Sequence, residues 1–203
     1  MTASIYLASR SPRRRELLKQ LGVRFEPLLL RLSGPRGSDV DEIQHEGEPA
    51  AEYVERTARE KAAFGLRVLG MRSMLHRPVL AADTVVIVDG EVLGKPADRD
   101  EAAGFLRRLS GRSHEVRTCV ALAMEGPLMH ETSVSKVAFR EVSDDEIQRY
   151  CATQEPYDKA GGYGIQGLAA LFVERVEGSY TGVMGLPLFE TGRLLSQAGI
   201  KLL

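Results

Sequence analysis

The sequence of 203 residues predicts an α/β fold whose strands run in mixed directions. Three observations predict it. Residues Val79 to Val88 are almost continuously apolar and rich in β-branched side chains, as a central strand should be. Asp89 and Gly90 follow directly, a hairpin signal that returns the chain through Glu91 to Gly94. Segments with helical spacing also alternate with segments of strand character along the chain.

Taken in order, Ser4 to Ala8 reads as a short strand, after which Ser11 is a good N-cap and Pro12 suits the first helical position. Leu17, Leu18 and Leu21 form the apolar stripe of that helix, and Gly22 stops it. Val23 to Leu30 is the next expected strand, and Ser33 to Ser38 a loop of turn residues. From Pro49 onward Ala50, Tyr53, Val54, Thr57, Ala58 and Lys61 fall at helical spacing. Asp98 and Glu101 form a variant capping box for a helix burying Ala102, Phe105, Leu106 and Leu109. Val116, Thr118, Val120, Leu122 and Met124 alternate like a half-buried strand, and Thr132 to Phe139 supplies its successor. Ser143 and Glu146 cap a short helix, Leu168 to Val176 reads as another strand, and Pro187 opens the last helix. With no repeat or long linker, residues 1–203 are expected to form a single domain.

Composition excludes several classes. Hydrophobic residues at 43% and charged residues at 27% suit a globular protein and argue against disorder. Lys and Arg nearly balance Asp and Glu, 27 against 28, so no general field draws the chain to nucleic acid or membranes. Two cysteines, Cys119 and Cys151, are too few for a disulfide framework and fit a reducing compartment. The N-terminus lacks the basic start and apolar run of a signal peptide, and no stretch approaches the roughly 18 apolar residues of a membrane span. The expectation is a cytoplasmic protein without membrane or stable nucleic-acid contacts.

Five segments carry residues that packing alone would not place there. The first helix begins with Arg13, Arg14 and Arg15, against its dipole unless an anion binds. With an anion, Ser9, Ser11 and the guanidinium groups would converge on phosphate oxygens; the competing reading is a solvated basic face. Lys61 shares the apolar face of its helix with Val54 and Ala58, where a lysine either snorkels or serves a site. Asp83 stands inside the apolar run, where a carboxylate is costly without partners. Metal ligand and general base both fit it, since each needs an anionic oxygen on a rigid support; a turn carboxylate is the bland alternative. Lys95 lies between Gly94 and Pro96, after the hairpin from the Asp83 strand. The stretch Glu155 to Gly167 mixes glycines with Tyr157, Asp158, Lys159 and Gln166, whose amide both donates and accepts. His45, His76 and His130 read as surface residues. His114 is either structural or, beside Arg112, a phosphate contact. No nucleophilic triad and no Walker loop occurs.

These segments, in this order, resemble the signature blocks of the Maf family. The matching stretches are Leu7 to Arg14, Tyr53 with Val54, Ala58 to Ala62, Ala82 to Val85, Gly94 to Pro96 and Leu109 to Arg112. Tyr157 to Gly161, Gly164 to Gly167, Gly178 to Tyr180 and Gly185 to Leu188 complete the set, which covers nearly the whole chain. The resemblance implies an elongated mixed sheet with flanking helices, like that of inosine-triphosphate pyrophosphatases, and a nucleotide cleft between two lobes. It implies hydrolysis of the α-β phosphoanhydride of nucleoside triphosphates with a divalent cation, Mg²⁺ or Mn²⁺, by a protein that is often a homodimer. Asp83 matches the family's proton acceptor. Arg13, Thr84 and Gln166 match positions tied to base selectivity in the dTTP/UTP-cleaving branch, whereas the 7-methyl-GTP branch carries Glu in place of Gln166. Glu42 resembles an acidic position that helps hold the metal, although Ser33 to Asp39 replaces a shorter stretch and leaves Asp41 as the alternative. Ser9, Arg14, Lys61, Lys95 and Lys159 complete the expected phosphate contacts. Cys119 stands where a glycine is usual. A broad-range nucleotide hydrolase, and a regulatory nucleotide-binding protein acting in septum formation, are the competing functions.

Overall fold

A computed structural model describes residues 4–31 and 38–202, so all of the expected turn-rich loop except Ser38 lies outside the described residues. In chain order the strands are β1 (Ser4–Leu7), β2 (Arg24–Pro27), β3 (Val79–Val88), β4 (Glu91–Leu93), β5 (Ser113–Ala123), β6 (Met129–Phe139) and β7 (Val173–Glu177). The helices are α1 (Pro12–Gln20), α2 (Ala50–Met71), α3 (Arg99–Leu109), α4 (Asp144–Cys151), α5 (Tyr180–Val183) and α6 (Leu188–Gln197). The strands form one seven-stranded mixed sheet in the order β2-β1-β3-β5-β6-β7, with β4 paired to β3 off this path. The expected α/β class with mixed strand directions is therefore correct, and β3 is interior. The chain divides into two compact units, Met1–Asp83 with Thr118–Thr132 and Gly185–Leu203, and Thr84–Arg117 with Ser133–Met184.

In the first unit β1 pairs in parallel with β2 and with β3, in registers Ser4↔Arg24 and Tyr6↔Val79. Ser11 caps α1 through its side chain, Pro12 opens the helix, and Leu17 and Leu18 are buried. The strand expected over Val23 to Leu30 is shorter, Arg24–Pro27. Proline lacks an N–H, so Pro27 can end the ladder, and it does so on the outermost strand of the sheet order, where proline is tolerated. Helix α2 buries Val54, Thr57, Ala58, Ala62, Gly65, Val68 and Leu69 along one face. Arg31 and Asp39 close the ends of the chain segment between them: the Arg31 N–H and Nε donate to the two Asp39 oxygens at 2.7 and 2.8 Å. The Asp39 N–H donates to the Arg31 carbonyl at 3.0 Å.

In the second unit the hairpin turn has positive φ at both Asp89 (54°) and Gly90 (80°), as a type I′ turn requires. Val88 pairs with Glu91 across it. Asp98 caps α3 by accepting from the Glu101 N–H, and Ser143 with Glu146 completes a reciprocal capping box on α4. The aromatic rings of His114, Phe139 and Tyr163 meet edge to face at centroid distances of 4.9 to 5.4 Å. Tyr150 and Phe172 extend this cluster.

Two further strand expectations need correction. Residues Leu168–Phe172 form a 3-10 helix, and β7 begins only at Val173. The Glu155 carboxylate accepts the N–H groups of Leu168 and Ala169, taking donors that a strand would need for pairing. In β5 the alternation stops at Arg117; from Thr118 to Ala123 every residue is buried, as in a strand covered on both faces, and Met124 lies beyond it.

Gly161 offers a stability test. Its φ is +70°, its N–H donates to the Gly94 carbonyl at 2.9 Å, and a Cβ would lie 2.9 Å from the branched Val86 side chain. Gly161→Ala should cost about 2–4 kcal/mol, from left-handed strain plus overpacking. A urea unfolding curve measures it, and a wild-type midpoint would show that the segment can shift.

Candidate active site

The first unit assembles four of the expected residues on three elements and a loop. At the turn from β1 to α1, Ser9 Oγ accepts from the Ser11 N–H at 3.1 Å, and Ser11 Oγ accepts from the Arg14 N–H at 3.4 Å. Arg13 is half-buried beside them. Arg14 folds inward: Nε donates to the Gly185 carbonyl and Nη1 to the Ala82 carbonyl, each at 2.7 Å. Burial lowers the Arg14 pKa from its usual high value, and the negative charge of Asp83 works against that shift. The guanidinium thus stands next to the residue preceding Asp83, and its backbone bonds fix it there.

Lys61 is the hub. It comes from α2, and its ammonium donates to Asp83 Oδ1 at 2.8 Å and to Glu42 Oε2 at 2.7 Å. The Lys61 and Asp83 side chains are only 11% and 14% exposed, whereas Glu42 is 39% exposed. The position of Lys61 on the apolar face is thus explained: it meets the carboxylate of the apolar strand. Neither side chain is simply snorkelling.

Glu42 reaches this point because α2 grips its loop. Arg56 Nη1 donates to the Asp41 carbonyl at 3.1 Å, the Tyr53 hydroxyl to the Glu42 carbonyl at 2.8 Å, and Arg56 Nη2 to the Ile43 carbonyl at 2.8 Å. Arg56 also forks onto Glu48, through Nε at 2.6 Å and Nη2 at 2.9 Å, which holds the Glu48 carboxyl down at about 2. Burial, with the charges of Asp83 and Glu42, pushes the Tyr53 phenol up to about 12. Asp41 turns the other way, accepting from the Ile43 N–H at 3.0 Å and facing the His45 ring at 3.2 Å. Of the two acids that the sequence left open, Glu42 is the one that joins Asp83.

No group of three or more His, Cys, Asp or Glu side chains that could hold a metal occurs among the described residues. Glu42 and Asp83 nevertheless suit a hard divalent ion. Mg²⁺ takes one or two carboxylates and completes its shell with water and phosphate oxygens, and these two already converge on one positive charge, the Lys61 ammonium.

The second unit holds the other expected residues. Thr84, next after Asp83 on β3, is half-buried. Lys95 is exposed in the turn after β4, and the neighbouring Gly94 carbonyl binds the Gly161 N–H, tying this turn to the stretch that carries Lys159 and Gln166. Lys159 donates to the Glu155 carbonyl at 2.6 Å and to Asp158 at 2.5 Å, so its ammonium is engaged within its own loop. Gln166 is exposed on a β-turn closed by the Gly167 N–H to the Gly164 carbonyl at 2.9 Å.

His114 takes the structural alternative. It is 3% exposed, its Nε2 lies 2.7 Å from the Tyr163 hydroxyl, and burial lowers its pKa to about 4. Arg112 pairs with Asp89 at the surface. His45, His76 and His130 are exposed, as expected. Cys119 and Cys151 are free and buried, and burial pushes the Cys119 thiol up to about 12. No helix among the described residues is long and apolar enough to cross a membrane.

Sequence reasoning missed the clamp of Tyr53 and Arg56 and the bonds of Arg14 to backbone carbonyls. The helical spacing of Tyr53, Thr57 and Lys61 was a signal that Tyr53 shares the hub's face. Bonds to distant carbonyls leave no trace in spacing.

Comparison with known proteins places the chain in a family. The sequence profile described as "Maf-like protein" matches residues 4–198. A protein of Aromatoleum aromaticum named dTTP/UTP pyrophosphatase is 57% identical over 202 residues, 98% of each chain. Proteins of the same name from Bordetella parapertussis and Chromobacterium violaceum are 56% and 53% identical, covering 97% and 98% of this chain and 93% and 96% of theirs. The Staphylococcus aureus Ham1 protein is a distant structural likeness, with TM-score 0.45 and 14% identity over 67% of this chain and 71% of that one. With a family profile spanning almost all of its length and relatives more than half identical to it, this chain belongs to the Maf family.

Proposed function

We propose that this protein is a nucleoside triphosphate pyrophosphatase that hydrolyses dTTP and UTP to the monophosphate and pyrophosphate. The observation that carries the reading is the constellation in which Lys61 bridges Asp83 and Glu42 beside Arg14. The names of the relatives support the substrate class.

In this reading water attacks the α-phosphorus. The new bond forms from the water oxygen to phosphorus, while the bond from that phosphorus to the oxygen bridging to the β-phosphorus breaks. Pyrophosphate leaves with the electron pair. Asp83 takes the proton of the attacking water; Lys61 holds Oδ1, so the carboxylate is oriented before substrate arrives. Arg14 and Lys61 offset charge on the phosphate oxygens, with Ser9, Arg13, Lys95 and Lys159 completing the contacts that the family resemblance implies. Glu42 and Asp83 would hold Mg²⁺ or Mn²⁺, which when bound neutralises phosphate charge. Gln166 reads the base. A pyrimidine edge with carbonyls and an imide N–H matches an amide that both accepts and donates, and Arg13 and Thr84 are the other selectivity positions. The same reading puts the protein in the cytoplasm, acting on free nucleotides as a homodimer.

The test is pyrophosphate release from dTTP, UTP, CTP, GTP and 7-methyl-GTP, each with Mg²⁺ and with chelator. Metal-dependent release led by dTTP and UTP is expected. Preference for 7-methyl-GTP would keep the chemistry and overturn the substrate class. Binding of these nucleotides without turnover would overturn the enzyme itself.

A further inference from the structure

The turn that carries Gln166 is exposed, yet the backbone N–H groups of Gly167, Leu168, Ala169 and Ala170 are all bonded. Gly164 and Gly167 close the turn with a 2.9 Å bond, with Ile165 buried at one central position and Gln166 exposed at the other. The next two N–H groups, of Leu168 and Ala169, donate to the Glu155 carboxylate at 2.8 Å to Oε2 and 3.3 Å to Oε1. The Tyr150 hydroxyl donates to Oε1 at 3.0 Å. Both carboxylate oxygens are therefore occupied, and they cap the 3-10 helix that follows the turn.

Packing presses in the same direction. A Cβ on Gly167 would lie 2.2 Å from Glu155 Oε2, so the carboxylate rests on the bare backbone of the turn. A Cβ on Gly164 would lie 2.7 Å from Lys159 Cε, and the Lys159 ammonium bends back to the Glu155 carbonyl. Glu155 against Gly167 and Lys159 against Gly164 leave the turn little room to tilt. This also accounts for the engagement of Lys159 within its own loop.

We propose that Glu155 is a positioning residue for base selectivity, fixing the turn so that the Gln166 amide meets the base at a set angle. The inference rests on the reading of Gln166 as the base-reading residue. An amide discriminates bases only if its donor and acceptor are held within about half an ångström of their partners, and an exposed side chain on a two-residue turn meets that condition only through its backbone. Glu155 acts through the loop, because its own oxygens are already taken by Leu168, Ala169 and Tyr150.

The experiment compares wild type with Glu155→Ala, Glu155→Gln and Gln166→Glu. It measures kcat and KM for dTTP, UTP, GTP and 7-methyl-GTP, and hydrogen exchange at the Leu168 and Ala169 amides. Glu155→Ala should lower the ratio of kcat/KM for dTTP over 7-methyl-GTP by about tenfold or more, mainly through the KM for dTTP, and should speed exchange at both amides. Glu155→Gln keeps one acceptor oxygen and should recover part of the ratio; if Glu155→Ala does not fold, a ratio below wild type in Glu155→Gln decides in favour. An unchanged dTTP over 7-methyl-GTP ratio in the folded Glu155 variants, with a shifted ratio in Gln166→Glu, overturns this proposal alone. An unchanged ratio in Gln166→Glu overturns the reading of Gln166 and takes this proposal with it.

Discussion

Asp83→Asn should lower kcat for dTTP roughly a thousandfold and leave the fold intact, the middle of the range that a positioned general base supplies. Asparagine has nearly the same shape, and its carbonyl oxygen can still accept from Lys61 where Oδ1 does now, at 2.8 Å. What it lacks is an oxygen able to take a proton. The loss should therefore appear in kcat, while the circular dichroism spectrum and the thermal midpoint stay close to those of wild type. Turnover above about a tenth of wild type would remove Asp83 from the chemistry. Glu42→Gln makes the contrast, since it should raise the metal concentration needed for half-maximal rate and spare kcat at saturating metal.

The second large effect belongs to stability. His114 has a folded-state pKa of about 4, lowered by burial, against an ordinary value of about 6.5. Its neutral form fits the cluster with Phe139 and Tyr163, and the unfolded chain binds the proton more readily. Stability from this group is complete above pH 6.5 and declines as pH falls toward 4, by about 3 kcal/mol over the whole window. Carboxylates held low act further down: Glu48 and Glu146, at about 2 beside Arg56 and Arg140, begin to lose their contribution as pH falls through the ordinary value of 4.5 and lose the rest by about 2. The upper window therefore isolates His114. His114→Gln can keep a bond to the Tyr163 hydroxyl and cannot titrate. Unfolding free energies at pH 7.5, 6.5 and 5.5 should slope less in this variant than in wild type, and parallel slopes would refute the assignment.

Much of this molecule is readable along the chain where a local rule has one answer. Ser11 with Pro12, Asp89 with Gly90, and Ser143 with Glu146 each name a cap or turn, and each is present. Asp83 was conspicuous because a carboxylate in an apolar strand needs a partner, and Lys61 because an ammonium on an apolar helix face needs one too. Their pairing answers both. The failures came where a distant group decides the outcome. Leu168–Phe172 has the composition of a strand, but Glu155, 13 residues before Leu168, takes its amides. Three arginines open α1, and nothing in their spacing shows that Arg14 holds carbonyls 171 and 68 residues away through Nε and Nη1. The choice between Asp41 and Glu42 could not be made from adjacency; it depends on which carbonyls Tyr53 and Arg56 hold.

The closure between Arg31 and Asp39 has a consequence for how this family can vary. With both ends of a segment tied by two side-chain bonds and a backbone bond, the number of residues between them is nearly decoupled from the position of whatever follows. Doubling the length of such a span costs only about 0.6 kcal/mol of closure entropy. Insertions and deletions can therefore accumulate there while Glu42, downstream of the tie and gripped by α2, keeps its place beside Lys61. A change in length ahead of the acid that Lys61 binds is then slack confined by a knot.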